Sequence, residues 1–147
     1  MKLAKHVGIT VLFVVIFALG AHAGDDSLQS ERSCHIRTLF GSYGIATTGF
    51  IVSAGPVGPV GDVGVISFDG NGAVSQTTTV SLNGNISSRT STGTYMVNSD
   101  CTGSLAVTLP PPAGLSQSDF VIVDNGKELR LINTGNGRVL VGNARKQ

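Results

Sequence analysis

Ala73-Val74-Ser75-Gln76-Thr77-Thr78-Thr79-Val80-Ser81-Leu82 is the stretch whose reading decides the fold. Alternate positions separate cleanly. Val74, Val80 and Leu82 share one face with Gln76 and Thr78, while Ala73, Ser75, Thr77, Thr79 and Ser81 share the other. A period of two, with one mostly apolar face and one small polar face, is the pattern of an antiparallel strand wet on one side. The flanks agree. Asp69-Gly70-Asn71-Gly72 precedes the stretch and Asn83-Gly84-Asn85 follows it. Both are Gly/Asn turns that tolerate positive φ and so suit tight hairpins.

Working outward, the same alternation recurs in Thr102–Leu109, where Leu105, Val107 and Leu109 oppose Ser104, Ala106 and Thr108. Turn chemistry returns at Asn125-Gly126 and at Asn133-Thr134-Gly135-Asn136-Gly137. Pro110-Pro111-Pro112 and Gly55–Gly61 read as longer connections, because Pro cannot donate to a strand ladder. The predicted strands are Leu39–Val52, Asp62–Phe68, Ala73–Leu82, Ile86–Asn98, Thr102–Leu109, Ser118–Val123, Lys127–Thr134 and Arg138–Ala144. Eight hairpin-linked strands suit an all-β, antiparallel, eight-stranded up-and-down barrel, since closure removes both sheet edges. A two-sheet sandwich is the alternative. An outer-membrane barrel fits less well: several strands are short, and Phe40, Tyr43, Phe50, Phe68, Tyr95 and Phe120 are too few aromatics for two interfacial girdles.

Composition supports this class and removes others. The 147 residues include 20 Gly and no Trp, are 13% charged and carry a net charge of +1. There is no running Gly-X-Y period, which excludes collagen, and no sustained helical period, which excludes a bundle. Ample apolar residues and low net charge argue against disorder. No basic stripe exists to grip nucleic acid.

The N-terminus reads as an export signal over residues 1–23. Lys2 and Lys5 form a positive start, Val7 to Leu19 is nearly all apolar, and Ala21-His22-Ala23 offers a cleavage site. The apolar run of about 13 residues is short of the ~20 that span a bilayer. Residues 24–37 are then an N-terminal arm and 38–147 the barrel domain. The expected location is secreted or periplasmic, with no stable membrane insertion of the mature chain. Removing Lys2 and Lys5 leaves eight basic against nine acidic side chains.

An oxidising compartment makes Cys34 and Cys101, the only two cysteines, a predicted disulfide. Closing a loop of roughly 70 residues is worth about 4 kcal/mol in the chain-entropy account. His35 beside Cys34 would be the only histidine of the mature chain, too little for a zinc site or a Ser-His-Asp triad. Asp69 and Asn71 are too few ligands for a calcium loop, so no metal and no cofactor are expected. Among acid–base candidates, Asp119 and Glu128 sit near strand starts and Asp100 in a turn. Arg130 alternates with Leu129 and Leu131 and should point outward, whereas the register of Arg89, among Ser and Thr, leaves its face open.

Phe40-Gly41-Ser42-Tyr43-Gly44, Phe68–Gly72 and the run Gly93–Gly103 form an ordered set of turn motifs. This set resembles a group of small uncharacterised secreted bacterial proteins and, in architecture, is similar to calycin-like barrels of the allene oxide cyclase type. The resemblance implies binding of a small apolar ligand, cofactor-free cyclisation or isomerisation inside the barrel, or protease inhibition. It carries no catalytic residue onto this chain. The expected function is therefore binding of a small apolar ligand or a protein partner, without evident catalysis. The alternatives are a cofactor-free cyclase or isomerase and a surface-interaction module. Tyr43 and Tyr95, each on a Gly-flanked strand, are the predicted ligand-bordering pair; the plainer reading makes them core aromatics with satisfied hydroxyls.

Overall fold

The computed structural model describes residues 33–53 and 55–147. The predicted signal peptide, 1–23, and residues 24–32 of the predicted arm lie outside the described residues. The rest forms a closed antiparallel barrel in which each of eight strands pairs with its neighbours in sequence and the last pairs with the first. The strands are β1 (Gly41–Ile51), β2 (Gly58–Phe68), β3 (Ala73–Leu82), β4 (Asn85–Val97), β5 (Thr102–Thr108), β6 (Leu115–Val123), β7 (Glu128–Asn133) and β8 (Arg138–Lys146). Closure rests on a long register between β1 and β8, from Tyr43 opposite Lys146 to Ile51 opposite Arg138. The sandwich alternative is thereby excluded.

Alternation is the physical cause of the fold. Along β3 every second residue from Val74 to Val80 is buried and those between are exposed. Leu105 and Val107 are buried on β5, with Leu109 just beyond it, as their shared face predicts. The differences from expectation lie at the ends of strands. β2 begins at Gly58 rather than Asp62, because Pro59 sits at the barrel rim and still offers its carbonyl to the Asn83 N–H at 2.8 Å. A proline is tolerated there, one residue into the strand. β6 likewise begins at Leu115 rather than Ser118, and β8 runs on to Lys146.

Glycines turn the barrel's corners. A Cβ on Gly64 would stand 2.1 Å from the Thr77 carbonyl oxygen, and one on Gly93 would stand 1.9 Å from that of Ala106. No side chain fits between strands that close, so these positions let the sheet bend sharply.

The two ends of the barrel differ. At the end holding the β2–β3, β4–β5 and β6–β7 turns, a segment from Ser33 to Phe40 folds across the opening through a short 3-10 turn, Ile36–Thr38. The Cys34–Cys101 disulfide ties it to the β4–β5 turn, and the Cys34 N–H donates to the Ser99 carbonyl at 3.1 Å. Leu39 of this segment is almost wholly buried, as are Tyr43, Ile66 and Leu129 beneath it. The opposite end, with the β1–β2, β3–β4, β5–β6 and β7–β8 connections, has no comparable plug among the described residues.

Candidate functional site

In the closed end, Phe68 is the hub. Its ring meets Tyr43 edge-on at 5.4 Å and Tyr95 at 4.9 Å between centroids. Such edge-to-face pairs add to the burial of large rings. Both phenol hydroxyls are committed to main chain. Tyr43 donates to the Gly126 carbonyl at 2.6 Å. The Tyr95 oxygen lies 3.0 Å from the Leu39 carbonyl and 3.2 Å from that of Ile36, sharing one proton between them. Burial pushes both phenols above their ordinary ionisation value of 10.0. Tyr43 and Tyr95 are thus brought together around Phe68; Tyr95 binds the plugging segment to the wall, and Tyr43 binds the β6–β7 turn.

The open half holds a cavity of about 400 Å³. Neither Tyr43 nor Tyr95 lines it. Its apolar surface comes from Ile45 and Ile51 of β1, Val60 of β2, Val80 and Leu82 of β3, Leu105 and Val107 of β5, and Leu131 and Leu140 of β7 and β8. The Pro110–Pro112 loop and Pro56 stand at its mouth. Hollows of about 580 and 560 Å³ on the outer wall are shallower and more open to solvent. The interior cavity is the least open of the three, a concave pocket with a mouth, which is the form a small-molecule site takes.

Polar side chains are set among the apolar ones of this cavity. The Arg89 guanidinium meets the Asp62 carboxylate at 3.2 Å, with 22% and 9% of the two side chains exposed. Thr47 donates to the other Asp62 oxygen at 2.9 Å. Gln76 and Ser118 are buried nearby on β3 and β6, and Asn133 donates to Ser116 at 3.0 Å. The buried Nε–H of Arg89 has no hydrogen-bond partner, and neither do the buried hydroxyls of Thr78 and Ser91. Thr78 stands directly opposite Arg89 in the β3–β4 register. Arg138 enters from the first position of β8, its guanidinium held to the carbonyls of Ala113 and Leu115. Burial, then the charge of Arg89, lowers its pKa.

The other candidates lie elsewhere. Asp119 and Arg130 are exposed on the outer wall, and Arg130 pairs with Glu128 at 3.3 Å, as its outward register predicts. Asp100 accepts from Thr102, and Asp69 accepts the N–H groups of Asn71 and Ala73, so both organise turns. These bonds hold both carboxylates below their ordinary values: a side-chain bond from Thr102 dominates at Asp100, the Asn71 N–H at Asp69. His35 is exposed beside the disulfide. Among the described residues, no three His, Cys, Asp or Glu side chains converge.

Asp62, Arg89, Thr47 and Arg138 were not predicted as a site. Parity holds the missed signal. Arg89 lies six residues from Tyr95, and Asp62 six from Phe68, so an inward Tyr95 and Phe68 carry both charged residues to the interior.

No protein family matches the chain, and no curated protein matches it either. Among solved structures it is similar to designed barrels. A de novo designed fluorescence-activating β-barrel matches at 12% identity and a TM-score of 0.54, covering 76% of this chain and 96% of its own. A redesigned β-barrel bound to DFHBI matches at 18% and 0.54, covering 76% and 98%. A second redesigned barrel, also bound to DFHBI, matches at 18% and 0.51, covering 74% and 99%. Likeness at such identities concerns the fold. It supports a small antiparallel eight-stranded barrel and gives no link to the calycins or the allene oxide cyclases.

Proposed function

We propose that this protein is an exported binding protein that lodges a small, largely apolar molecule in the open half of its barrel. The carrying observation is the concave interior cavity of about 400 Å³ above a packed base. It falls in the size range of small-molecule sites and has their composition, apolar walls with a few convergent polar groups. A surface-interaction module has no need of an unfilled interior. The designed barrels bound to DFHBI make the architecture compatible with a small ligand. Export is proposed from the signal-like residues 1–23 together with the Cys34–Cys101 bridge, which suits an oxidising compartment. In this reading Tyr43 and Tyr95 serve the ligand as part of the floor, by keeping the base shut.

The test is titration with phenylnaphthylamine, a neutral probe that brightens in apolar surroundings. The parent protein should give a saturable signal at one probe per chain. Val80→Trp, which places an indole in the cavity, should abolish it while leaving the unfolding transition in place. No saturable signal from the parent, or an equal signal from Val80→Trp, would overturn the reading.

A further inference from the structure

We infer that the cavity is built for an amphipathic anion, with its acidic head group against Arg89 and Arg138 and its apolar body against the cavity's aliphatic side chains. This deepens the binding reading above and rests on it. The charged side chains lining the cavity are two guanidiniums and one carboxylate. Asp62 answers Arg89 directly at 3.2 Å. Arg138 is held by neutral carbonyls alone, so its charge is left without a counter-charge inside the cavity. An uncompensated cation in a partly desolvated site attracts an anion more strongly than it would in water.

A second feature points the same way. Arg89 and Arg138 both line the cavity, and the charge of the first disfavours that of the second. A carboxylate, sulfonate or phosphate between them relieves that repulsion and supplies the missing negative charge together. Arg138 sits at the first position of β8, at the mouth, and Arg89 lies further in on β4. An anion entering the barrel therefore meets one guanidinium and then the other. The aliphatic side chains that line the cavity, among them Ile45, Val80, Leu105, Val107, Leu131 and Leu140, offer much to an apolar body. A free inorganic anion would leave those side chains uncovered, so the cavity selects the amphipathic molecule.

Anilinonaphthalene sulfonate and phenylnaphthylamine share one aromatic body and differ by the sulfonate, which makes them a matched pair. The parent should bind the sulfonate about tenfold more tightly or better, the scale of a charge-assisted hydrogen bond. Arg89→Met should erase that preference while keeping the neutral probe. Asp62→Asn, which removes the competing carboxylate, should instead raise sulfonate affinity severalfold, and it keeps the idea testable if Arg89→Met fails to fold. Arg130→Met, on the outer wall, should change neither probe. Inorganic sulfate at equal concentration should not displace either. Equal affinity of the parent for both probes overturns the inference and leaves the binding reading intact. So does a preference lost in Arg130→Met, kept in Arg89→Met or unmoved by Asp62→Asn. Displacement by equimolar sulfate overturns the requirement for an apolar body. Failure of both probes overturns the inference and the reading together.

Discussion

One barrel has two interiors. The same eight strands, in one continuous register, enclose a base where aromatic rings fill the space and an upper half that stays hollow. At the base the inward positions carry Tyr43, Phe68, Tyr95 and Leu129, and both phenols are hydrogen-bonded to backbone. In the upper half the inward positions carry Thr47, Asp62 and Arg89 among smaller aliphatics, and a buried donor remains unpartnered. Backbone pairing runs through both, although in the upper half the start of β4, Asn85 to Ser91, pairs with β3 alone. What differs is side-chain volume and the presence of a disulfide-tethered plug at one end. Stability and ligand recognition are therefore expected to separate along the barrel axis, and substitutions can force or refute that separation.

The largest effect should come from the base. Phe68→Ala removes the ring that both tyrosines pack against, in a region with no route to collapse. A buried Phe→Ala change costs about 3–5 kcal/mol, as transfer and cavity terms add. Urea unfolding should show that loss, with phenylnaphthylamine affinity of the folded fraction little changed. A loss under about 1 kcal/mol would mean that the base is not the stabilising half.

The next effect concerns the phenols. Tyr43→Phe keeps the ring and strands the buried Gly126 carbonyl, which should cost about 1–3 kcal/mol. The same phenol links stability to pH. Its ionisation value is raised in the fold by burial, so above pH 10 the unfolded chain gives up its proton more readily than the folded one. The protons bound then fall first in the unfolded state, and stability declines as pH rises past that value. Tyr95 acts with the same sign. Unfolding curves from neutral pH upward should show a decline that is shallower in Tyr43→Phe. Identical alkaline profiles for the parent and the variant would remove Tyr43 from this account.

How much of this was legible in the sequence follows from what a period of two encodes. The alternation at Ala73–Leu82 and Thr102–Leu109 gave each inward face correctly, because parity is local. Strand ends were less legible: Gly58-Pro59-Val60-Gly61 reads as a loop until β1 and β3 pair with it from both sides. The Cys34–Cys101 pairing was legible from the cysteine count taken with the signal-like N-terminus. The hollow was not. Whether an inward residue meets a ring across the barrel or empty space depends on strand stagger, which no local pattern reports. That is why Tyr43 and Tyr95 stood out as a ligand-bordering pair although they line the base. It is also why Arg89, beside Ser and Thr in sequence, gave no hint of Asp62 on a strand 27 positions earlier.

The smallest effect on stability, and the sharpest test of the contrast, belongs to the upper half. Leu82 is the last residue of β3 and is only partly buried, facing the cavity near the β3–β4 turn. Truncating it to Ala leaves no new closed void, because the space is already open to solvent through the mouth. The cavity term that makes core Leu→Ala changes costly is therefore absent, and the expected loss is under about 1 kcal/mol. The ligand experiences the same change differently. An apolar body covering Leu82 loses buried area when the side chain goes, and at about 25 cal/mol per Å² of contact the neutral probe should weaken several-fold. Phe68→Ala should lower stability with little change in affinity, and Leu82→Ala should lower affinity with little change in stability. A Leu82→Ala protein that unfolds as early as Phe68→Ala would show that the rim supports the fold as much as the base does. The division between a packed half and a binding half would then fail.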